Sequence, residues 1–564
     1  MDRRPNSIRQ SGMQSGIGSR LPPGARPKRS RRLPALLLGL SAVVAACATD
    51  ADTLVVSQRA DQIPDVVAGD PTDPTGTTVP GEPDDPTVTT TTTTTTTSVP
   101  GRNEPITPVD PMIDPDTQPD MPEIDPTMID PDAIDFGDNK PPQPWDDFLS
   151  VALADVEDWL TVEFEPAFGI PFEPLEGGIF AAYPERTSPI PGCGRPNSTF
   201  EDIQAGGAIY CFLGDFIAYD DTPEGVVGSL ASTFGPVTFG LVLAHEYGHA
   251  LQDRVGTLQR SDLDTVDLEQ QADCVAGAWA GRANAGDAPG ITFDDTDVRA
   301  GLISMISIED PRGTDPTAPG GHGSGFDRVG AFQVGFQEGL TRCATLIDDP
   351  LPLTPILFTE ADLETNGNAP FGFGDAELFG FLVPDLNLLY DNDLQTQFPD
   401  FRQLDLVAVQ SESEVVCDAP TGYFDLGVEL CSENDTVYLN EPIARSLYDR
   451  FGDFGPAYLI GIAWAEHAQN TAGSALTGEE RQLQNDCLTG AWVNTVIPDP
   501  VTGQLPEPRD PDRAASVSAG DLTEAILTAI VVGDPEVNTN VLGSPFEKID
   551  SFRRGTLDGI TTCA

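Results

Sequence analysis

The chain has 564 residues, more than one hydrophobic core usually contains, so we expect more than one domain. It carries 90 acidic and 30 basic residues, and a formal net charge of −60 at pH 7 disfavours binding to nucleic acid or anionic lipid. Such a charge keeps an exported protein soluble. Adaptation to high salt is the alternative, since the sequence contains only three lysines.

Residues 1–47 predict an export signal. Basic residues precede a short apolar run, Leu33 to Ala46, which is too short to span a bilayer but fits a signal peptide. Small residues then precede Cys47, a pattern that resembles a bacterial lipoprotein signal, in which this cysteine is lipidated. Plain cleavage near Cys47 is the alternative, and two consecutive arginines leave twin-arginine export open. We therefore expect a cell-surface lipoprotein anchored to the cytoplasmic membrane, or a secreted protein.

Residues 48–142 predict a disordered linker. The segment is rich in Pro, Thr and Asp, and it includes an unbroken run from Thr89 to Thr97. We find neither helical nor strand periodicity, and the prolines and acidic residues favour an extended chain. The linker would separate the N-terminal anchor from a globular region.

The globular region, from about Trp145 onward, contains an internal repeat. Four stretches of the first half match four of the second half in the same order. The pairs are AIYCFLGDFIAYD with VELCSENDTVYLN, FGPVTFGLVLAHEYGHALQ with FGPAYLIGIAWAEHAQN, LEQQADCVAGAWAG with RQLQNDCLTGAWVN, and HGSGFDRVGAFQVGFQEGLTRCA with LGSPFEKIDSFRRGTLDGITTCA. We interpret residues 143–346 and 376–564 as two copies of one domain, joined by a connector of residues 347–375.

The nine cysteines fit an exported protein. Without Cys47, four remain in each copy, and all eight could form disulfides outside the cytoplasm. A zinc site made of thiolates is disfavoured, because no C-x-x-C spacing occurs. If both copies form the same disulfides, three patterns remain. The favoured pattern joins Cys193 to Cys211, Cys274 to Cys343, Cys417 to Cys431 and Cys487 to Cys563.

The stretch HEYGH predicts a metal site on a helix. Apolar residues recur at helical spacing from about Pro236 to Val255. Since residues four apart share a helix face, His245 and His249 would both point at one zinc ion. Glu246 would act as the base toward the bound water, whose pKa zinc lowers to about 7. A buried pair of structural histidines is the alternative.

A third zinc ligand is expected from LEQQADCVAGAW, which is also predicted to be helical. Glu269 can complete a His2Glu site for one zinc ion and leave the fourth position to water. Asp273, four residues later on the same face, can accept the other N–H of a ligating histidine. A solvated acidic face is the alternative, and the small apolar neighbours of the pair disfavour it.

Together, HEYGHALQ, LEQQADCVAGAW and HGSGFDRVGAFQVGFQEG resemble the bacterial neutral zinc metallopeptidase family, and the resemblance covers nearly all of the first copy. The family implies a zincin-like fold, with a small sheet packed on an active-site helix. Together with the internal repeat, we therefore expect two tandem zincin-like domains of α+β class, mainly helical with a small sheet. The family also implies that His245, His249 and Glu269 bind zinc and that Glu246 is the base. His322 stands at the HG motif of the family. We predict that it is an electrophile for the tetrahedral intermediate, with helix capping or a supporting contact as the alternative.

The second copy lacks all three predicted zinc ligands and also the counterpart of His322. Ala465, Gln469, Gln482 and Leu542 stand in place of His245, His249, Glu269 and His322. Glu466 and Asp486 are nevertheless retained, and His467 is out of register with the lost ligands. Because the residues that one zinc ion needs are lost together, the comparison supports a site in the first copy. It predicts a metal-free, degenerate second copy.

We therefore predict a zinc-dependent peptidase with one Zn2+ per chain. It would hydrolyse peptide or protein substrates outside the cytoplasmic membrane. The alternative is a non-catalytic surface lipoprotein that acts as a binding module with structural zinc, which a fourth protein ligand would favour. Hydrolysis of another bond, such as a cell-wall amide, is a third possibility. No nucleic-acid partner is expected, and membrane contact is expected only through the N-terminal lipid.

Overall fold

The computed structural model describes residues 121–357, 371–374, 377–533 and 542–563. The predicted export signal with Cys47, and the predicted linker as far as residue 120, lie outside these ranges. Within them, no helix combines the length and the apolar character that crossing a membrane requires.

The described chain has a mixed α+β fold, consistent with a zincin-like domain. Its strands are β1 (Glu123–Ile124), β2 (Gly178–Ala182), β3 (Ile190–Pro191), β4 (Asn197–Ser198), β5 (Ala208–Cys211), β6 (Phe216–Asp220), β7 (Ile291–Thr292), β8 (Asp405–Val409), β9 (Val428–Cys431) and β10 (Thr436–Asn440). The helices of the first half are α1 (Asp146–Phe168), α2 (Phe200–Gln204), α3 (Val226–Phe234), α4 (Val237–Val255), α5 (Thr265–Asn284), α6 (Asp295–Ser307), α7 (Gly325–Glu338) and α8 (Leu340–Cys343). Those of the second half are α9 (Leu378–Leu388), α10 (Glu441–Phe451), α11 (Phe454–Thr471), α12 (Gly478–Asn494), α13 (Asp521–Val532) and α14 (Pro545–Asp558).

Each half contains a three-stranded sheet with the same strand order and directions. In the first half, the central strand β6 pairs in parallel with β2 and antiparallel with β5. In the second half, β10 pairs in parallel with β8 and antiparallel with β9. The aromatic and β-branched residues of β6 are buried along the whole strand, as its central position requires. The first sheet packs beside α4, the helix that contains HEYGH.

Two helix pairs pack at very short range through glycine. A Cβ atom on Gly277 of α5 would lie 2.0 Å from the carbonyl oxygen of Phe332 in α7. A Cβ atom on Gly490 of α12 would lie 2.0 Å from the carbonyl oxygen of Phe552 in α14. Only glycine permits this approach of two backbones, so the same packing recurs in both halves.

Disulfides join the helices and hairpins of each half. They connect Cys193 with Cys211, Cys274 with Cys343, Cys417 with Cys431 and Cys487 with Cys563, which are the four pairs that the sequence favoured. Each closed loop removes entropy from the unfolded chain and so stabilises the fold.

The predicted linker, residues 48–142, ends too late in the sequence, because the structure is already ordered before residue 142. Residues 121–142 were expected to be disordered, but β1 pairs antiparallel with β7 and Ile134 is only 3% exposed. Asp135 also forms a bridge to Phe180 in β2. The prediction is therefore wrong for this part of the segment. Local periodicity could not reveal these contacts, because the partners lie far along the chain.

The two halves share one continuous hydrophobic core. Arg553 of α14 donates a hydrogen bond to the carbonyl oxygen of Phe326 in α7. Gln333 Nε2 of α7 donates to the carbonyl oxygen of Phe546 at 2.9 Å. The predicted domains 143–346 and 376–564 are thus packed against each other through buried residues.

Candidate metal centre

The two histidines of HEYGH lie on one buried face of α4. This helix begins after Pro236 and ends where Gly256 adopts a left-handed conformation, close to the predicted limits. The rings of His245 and His249 meet edge to face with their centroids 4.8 Å apart. Their exposed fractions are 6% and 5%, so two imidazoles converge in a site that is shielded from solvent.

Glu269 of α5 lies between these imidazoles. Its Oε2 is 3.2 Å from Nε2 of His245, and its Oε1 is 3.5 Å from Nε2 of His249. One donor atom from each of the three residues lies within 4.8 Å of the other two. The structure therefore brings together the three predicted zinc ligands.

The carboxylate of Glu269 fits a cation at this point. The residue is 1% exposed, and neither carboxylate oxygen has a hydrogen-bond partner among the described residues. A buried carboxylate in this state is costly unless a positive charge compensates it. Two imidazole nitrogens and a carboxylate are a donor set that zinc binds. The residues present thus fit a zinc ion.

Comparison with known proteins points to the same chemistry. Residues 193–346 match the family described as "putative neutral zinc metallopeptidase". The matched segment includes the whole three-residue cluster. Uncharacterized proteins of Mycobacterium bovis and Mycobacterium tuberculosis are 32% identical to the chain over 181 residues. These alignments cover 27% of this chain and 61% of each relative, so the chain spans less than two thirds of their length. No solved structure matches.

Within the matched segment, Asp273 and Arg328 hold His245 in place. Nδ1 of His245 lies 2.8 Å from Oδ1 of Asp273, which fixes the proton on Nδ1 and directs the lone pair of Nε2 toward Glu269. Arg328 of α7 donates two hydrogen bonds to Asp273, at 3.0 and 2.8 Å. The Asp273 contact follows the sequence prediction. Arg328 was not predicted, although a lone arginine among apolar residues of a helix was a usable signal.

Gln252 gives His249 an equivalent support. Nδ1 of His249 donates to Oε1 of Gln252 at 3.0 Å, and Nε2 of Gln252 donates to the carbonyl oxygen of Leu268 at 2.6 Å. Nε2 of His249 is therefore also left as the acceptor that faces Glu269. Sequence reasoning missed Gln252, which lies three residues after the histidine on the same helix.

The charges of the cluster are strongly coupled. Burial raises the pKa of Glu269, but the nearby His249, His322 and His245 outweigh it and hold that pKa well below its ordinary value. Burial lowers the pKa of His245, but Asp273 and Glu269 outweigh it and raise that pKa to about 10. Without a cation, the site therefore retains a proton that a metal ion would displace.

His322 lies in the loop before α7, outside the three-residue cluster. Its backbone N–H donates to Oδ2 of Asp310 at 2.7 Å, and its Nδ1 lies 3.3 Å from Oδ1 of the same carboxylate. It is near enough to Glu269 to lower the pKa of that carboxyl. Glu246, the predicted base, follows His245 directly on α4 and is 8% exposed.

In the second half, Glu466, which aligns with Glu246, forms an ion pair with an arginine. Nε of Arg481 lies 2.9 Å from both carboxylate oxygens of Glu466, and Nδ2 of Asn485 donates to Glu466 at 2.8 Å. Lys548 lies 2.8 Å from Asp486, as Arg328 lies beside Asp273. The retained acidic side chains are thus neutralised by cationic side chains.

Proposed function

We propose that this chain is a zinc-dependent peptidase that hydrolyses peptide bonds of peptide or protein substrates outside the cytoplasmic membrane. The observation that carries the proposal is the buried cluster of His245, His249 and Glu269, whose carboxylate has no hydrogen-bond partner among the described residues. The family match of residues 193–346 supports zinc as the ion and peptides as the substrate class.

Each residue of the proposed site has a chemical role. When bound, zinc supplies a Lewis acid that polarises the substrate carbonyl and lowers the pKa of water to about 7. Glu246 takes a proton from the attacking water and delivers it to the leaving amine. Asp273 and Gln252 keep the imidazole lone pairs directed at the metal position. His322, held by Asp310, donates to the carbonyl oxygen as negative charge develops there.

A catalytic site is favoured over a purely structural one by the number of donors. Structural zinc sites usually have four protein ligands, whereas catalytic sites have three and leave one position to water. Within the part of the chain that the structure describes, the cluster comprises three such residues. This count supports hydrolysis and disfavours the binding-module alternative.

We also propose that residues 376–564 are a degenerate copy of the peptidase domain without zinc. The recurring sheet order, disulfide pattern and glycine-mediated helix packing support this proposal. The ion pair of Glu466 with Arg481 supports the absence of zinc there. Export and lipidation at Cys47 are proposed from the sequence alone.

Zinc content and peptide hydrolysis of the purified full chain test the function. We expect one equivalent of zinc at the His245 cluster in the parent and none there in His245→Ala. Glu246→Gln should retain zinc but lose nearly all hydrolysis of an unstructured casein substrate. The matched control is Glu466→Gln, at the aligned position of the second half, which should retain both zinc and activity. A Glu246→Gln protein with parental activity would refute the role of the base.

A further inference from the structure

A second group of buried acidic side chains lies in the second half, outside the predicted zinc site. Asp453 directly precedes α11, and Asp521 and Glu524 lie in the first turn of α13. One carboxylate oxygen from each residue lies within 4.8 Å of the other two. All three residues are buried. Because like charges repel strongly at this separation, the group favours an additional positive charge at its centre.

Asp521 and Glu524 take part in contacts that fix their positions. The backbone N–H of Ser518 donates to Oδ2 of Asp521 at 2.7 Å. The backbone N–H of Phe454 donates to Oε2 of Glu524 at 3.1 Å, and Arg312 of the first half lies 3.1 Å from Oε1. These contacts hold two carboxylates at the point where α11 and α13 begin.

Asp453 is the member of the group whose environment is incomplete. It is 5% exposed, yet its Oδ1 has no hydrogen-bond partner in the described ranges of the chain. It precedes α11 at the N-cap position, but its side chain does not cap the helix. A buried carboxylate oxygen in this state is costly, and a bound cation would satisfy it.

The group also borders a pocket. Asp453 and Asp521 line a pocket whose other walls are mainly apolar, among them Trp492 and Val517. An ion held between these carboxylates could take further oxygen ligands from water in the pocket, as hard divalent cations commonly do.

We propose that Asp453, Asp521 and Glu524 bind a hard divalent cation, Ca2+ or Mg2+. Carboxylate oxygens are the ligands that these ions prefer, whereas zinc prefers imidazole and thiolate. The ion would connect the first turns of α11 and α13. Its site is different from the aligned zinc position, so it is compatible with a second half that lacks zinc.

Ion binding to the purified, zinc-loaded full chain tests the proposal. Calcium and magnesium are titrated separately after removal of both ions, with bound ions counted by equilibrium dialysis and the Tm followed in parallel. The buffer contains about 0.15 M NaCl, which limits the screening length to about 8 Å and weakens binding to the acidic surface. We expect one tightly bound divalent ion per chain and a Tm that rises as the site fills. The ion that half-fills the site at the lower free concentration is the one that the site prefers.

Asp453→Asn is the decisive variant, because it removes one charge while keeping the shape of the side chain. We expect its midpoint for the preferred ion to rise by roughly tenfold or more, since the affinity of such sites depends on the number of charged ligands. Asp449→Asn on α10 is the control, because it removes the same charge from an exposed position. It should bind the ion as the parent does.

Two results would overturn the proposal. One is a parent protein that binds neither ion more tightly than its acidic surface does. This result depends on the parent alone and not on whether a variant folds. The other is an Asp453→Asn protein that binds as the parent does. Each of these results leaves the zinc proposal untouched, because zinc content is measured separately.

Discussion

Arg328 holds both carboxylate oxygens of Asp273, at 3.0 and 2.8 Å, from a helix that does not contribute a ligand to the predicted zinc site. Asp273 in turn accepts the Nδ1 proton of His245. The orientation of a predicted zinc ligand on α4 therefore depends on α7, through a buried aspartate on α5.

Replacing Asp273 by Asn should weaken zinc binding. The amide cannot carry the charge that favours the Nδ1–H tautomer of His245, so zinc affinity should fall by roughly 10–100-fold. Competition with a chromophoric chelator measures this. Asp486→Asn is the matched control, because Lys548 holds Asp486 as Arg328 holds Asp273. Equal zinc affinities for the two variants would contradict the proposed support of His245.

Removing Arg481 should destabilise the second half without affecting catalysis. Arg481→Met leaves the Glu466 carboxylate buried without its guanidinium, and we expect a loss of ~3 kcal/mol in the free energy of unfolding. Urea denaturation measures the loss. The double variant Arg481→Met/Glu466→Gln should recover much of it, because no charge then remains unpaired. Zinc content and peptide hydrolysis should match the parent in both variants, and a loss of zinc would show that the two halves are coupled at their sites.

A Gly277→Ala substitution should be strongly destabilising. The new methyl group would lie 2.0 Å from the carbonyl oxygen of Phe332, so α5 and α7 would have to separate. We expect a cost of about 1–3 kcal/mol or more in the free energy of unfolding. Gly490→Ala should have a similar cost at the equivalent contact with Phe552. A Gly277→Ala protein with the parental Tm would show that the two helices do not pack as closely as described.

Asp221 should make stability depend on pH in a defined window. Burial raises the pKa of this carboxyl to about 6, although Lys140 and Trp145 favour its charged form. The folded state therefore binds a proton more tightly than the unfolded state, whose carboxyl has an ordinary pKa of about 3.9. The resulting stabilisation is complete below about pH 4 and is lost as the pH rises through 6.

The experiment for Asp221 compares urea denaturation of the parent and Asp221→Asn between pH 4 and 7. Relative to the variant, the parent should lose up to ~3 kcal/mol across this window. The difference between the two proteins isolates Asp221 from the many other carboxylates of the chain. Parallel pH profiles would show that Asp221 is as acidic when folded as when unfolded.

The sequence predicted the parts of the candidate site that depend on local spacing. His245 and His249 are one helical turn apart, and Glu269 and Asp273 have the same separation. Helix geometry alone therefore places each pair on one face. The meeting of α4 and α5 could be inferred because a zinc ion needs ligands from both. The structure agrees with that inference, since donor atoms of His245, His249 and Glu269 lie within 4.8 Å of one another.

The supporting residues could not be predicted in the same way. Arg328 reaches Asp273 across 55 positions of the chain, and its role depends on how α5 packs against α7. Asp310 accepts a hydrogen bond from the backbone N–H of His322, and both residues lie in loops, whose conformation no periodic sequence pattern predicts. The error at residues 121–142 has the same origin, because β1 pairs with β7, a strand far along the chain.

The shared core has a consequence for the order in which the molecule can mature. Phe326 and Gln333 of α7 complete their contacts with Arg553 and Phe546, which are synthesised more than two hundred positions later. α7 also contains Arg328, the residue that holds Asp273 in place. During synthesis, α7 can therefore complete its buried contacts only once the last helix is present. The proposed peptidase should then reach full activity only after its last helix has been synthesised.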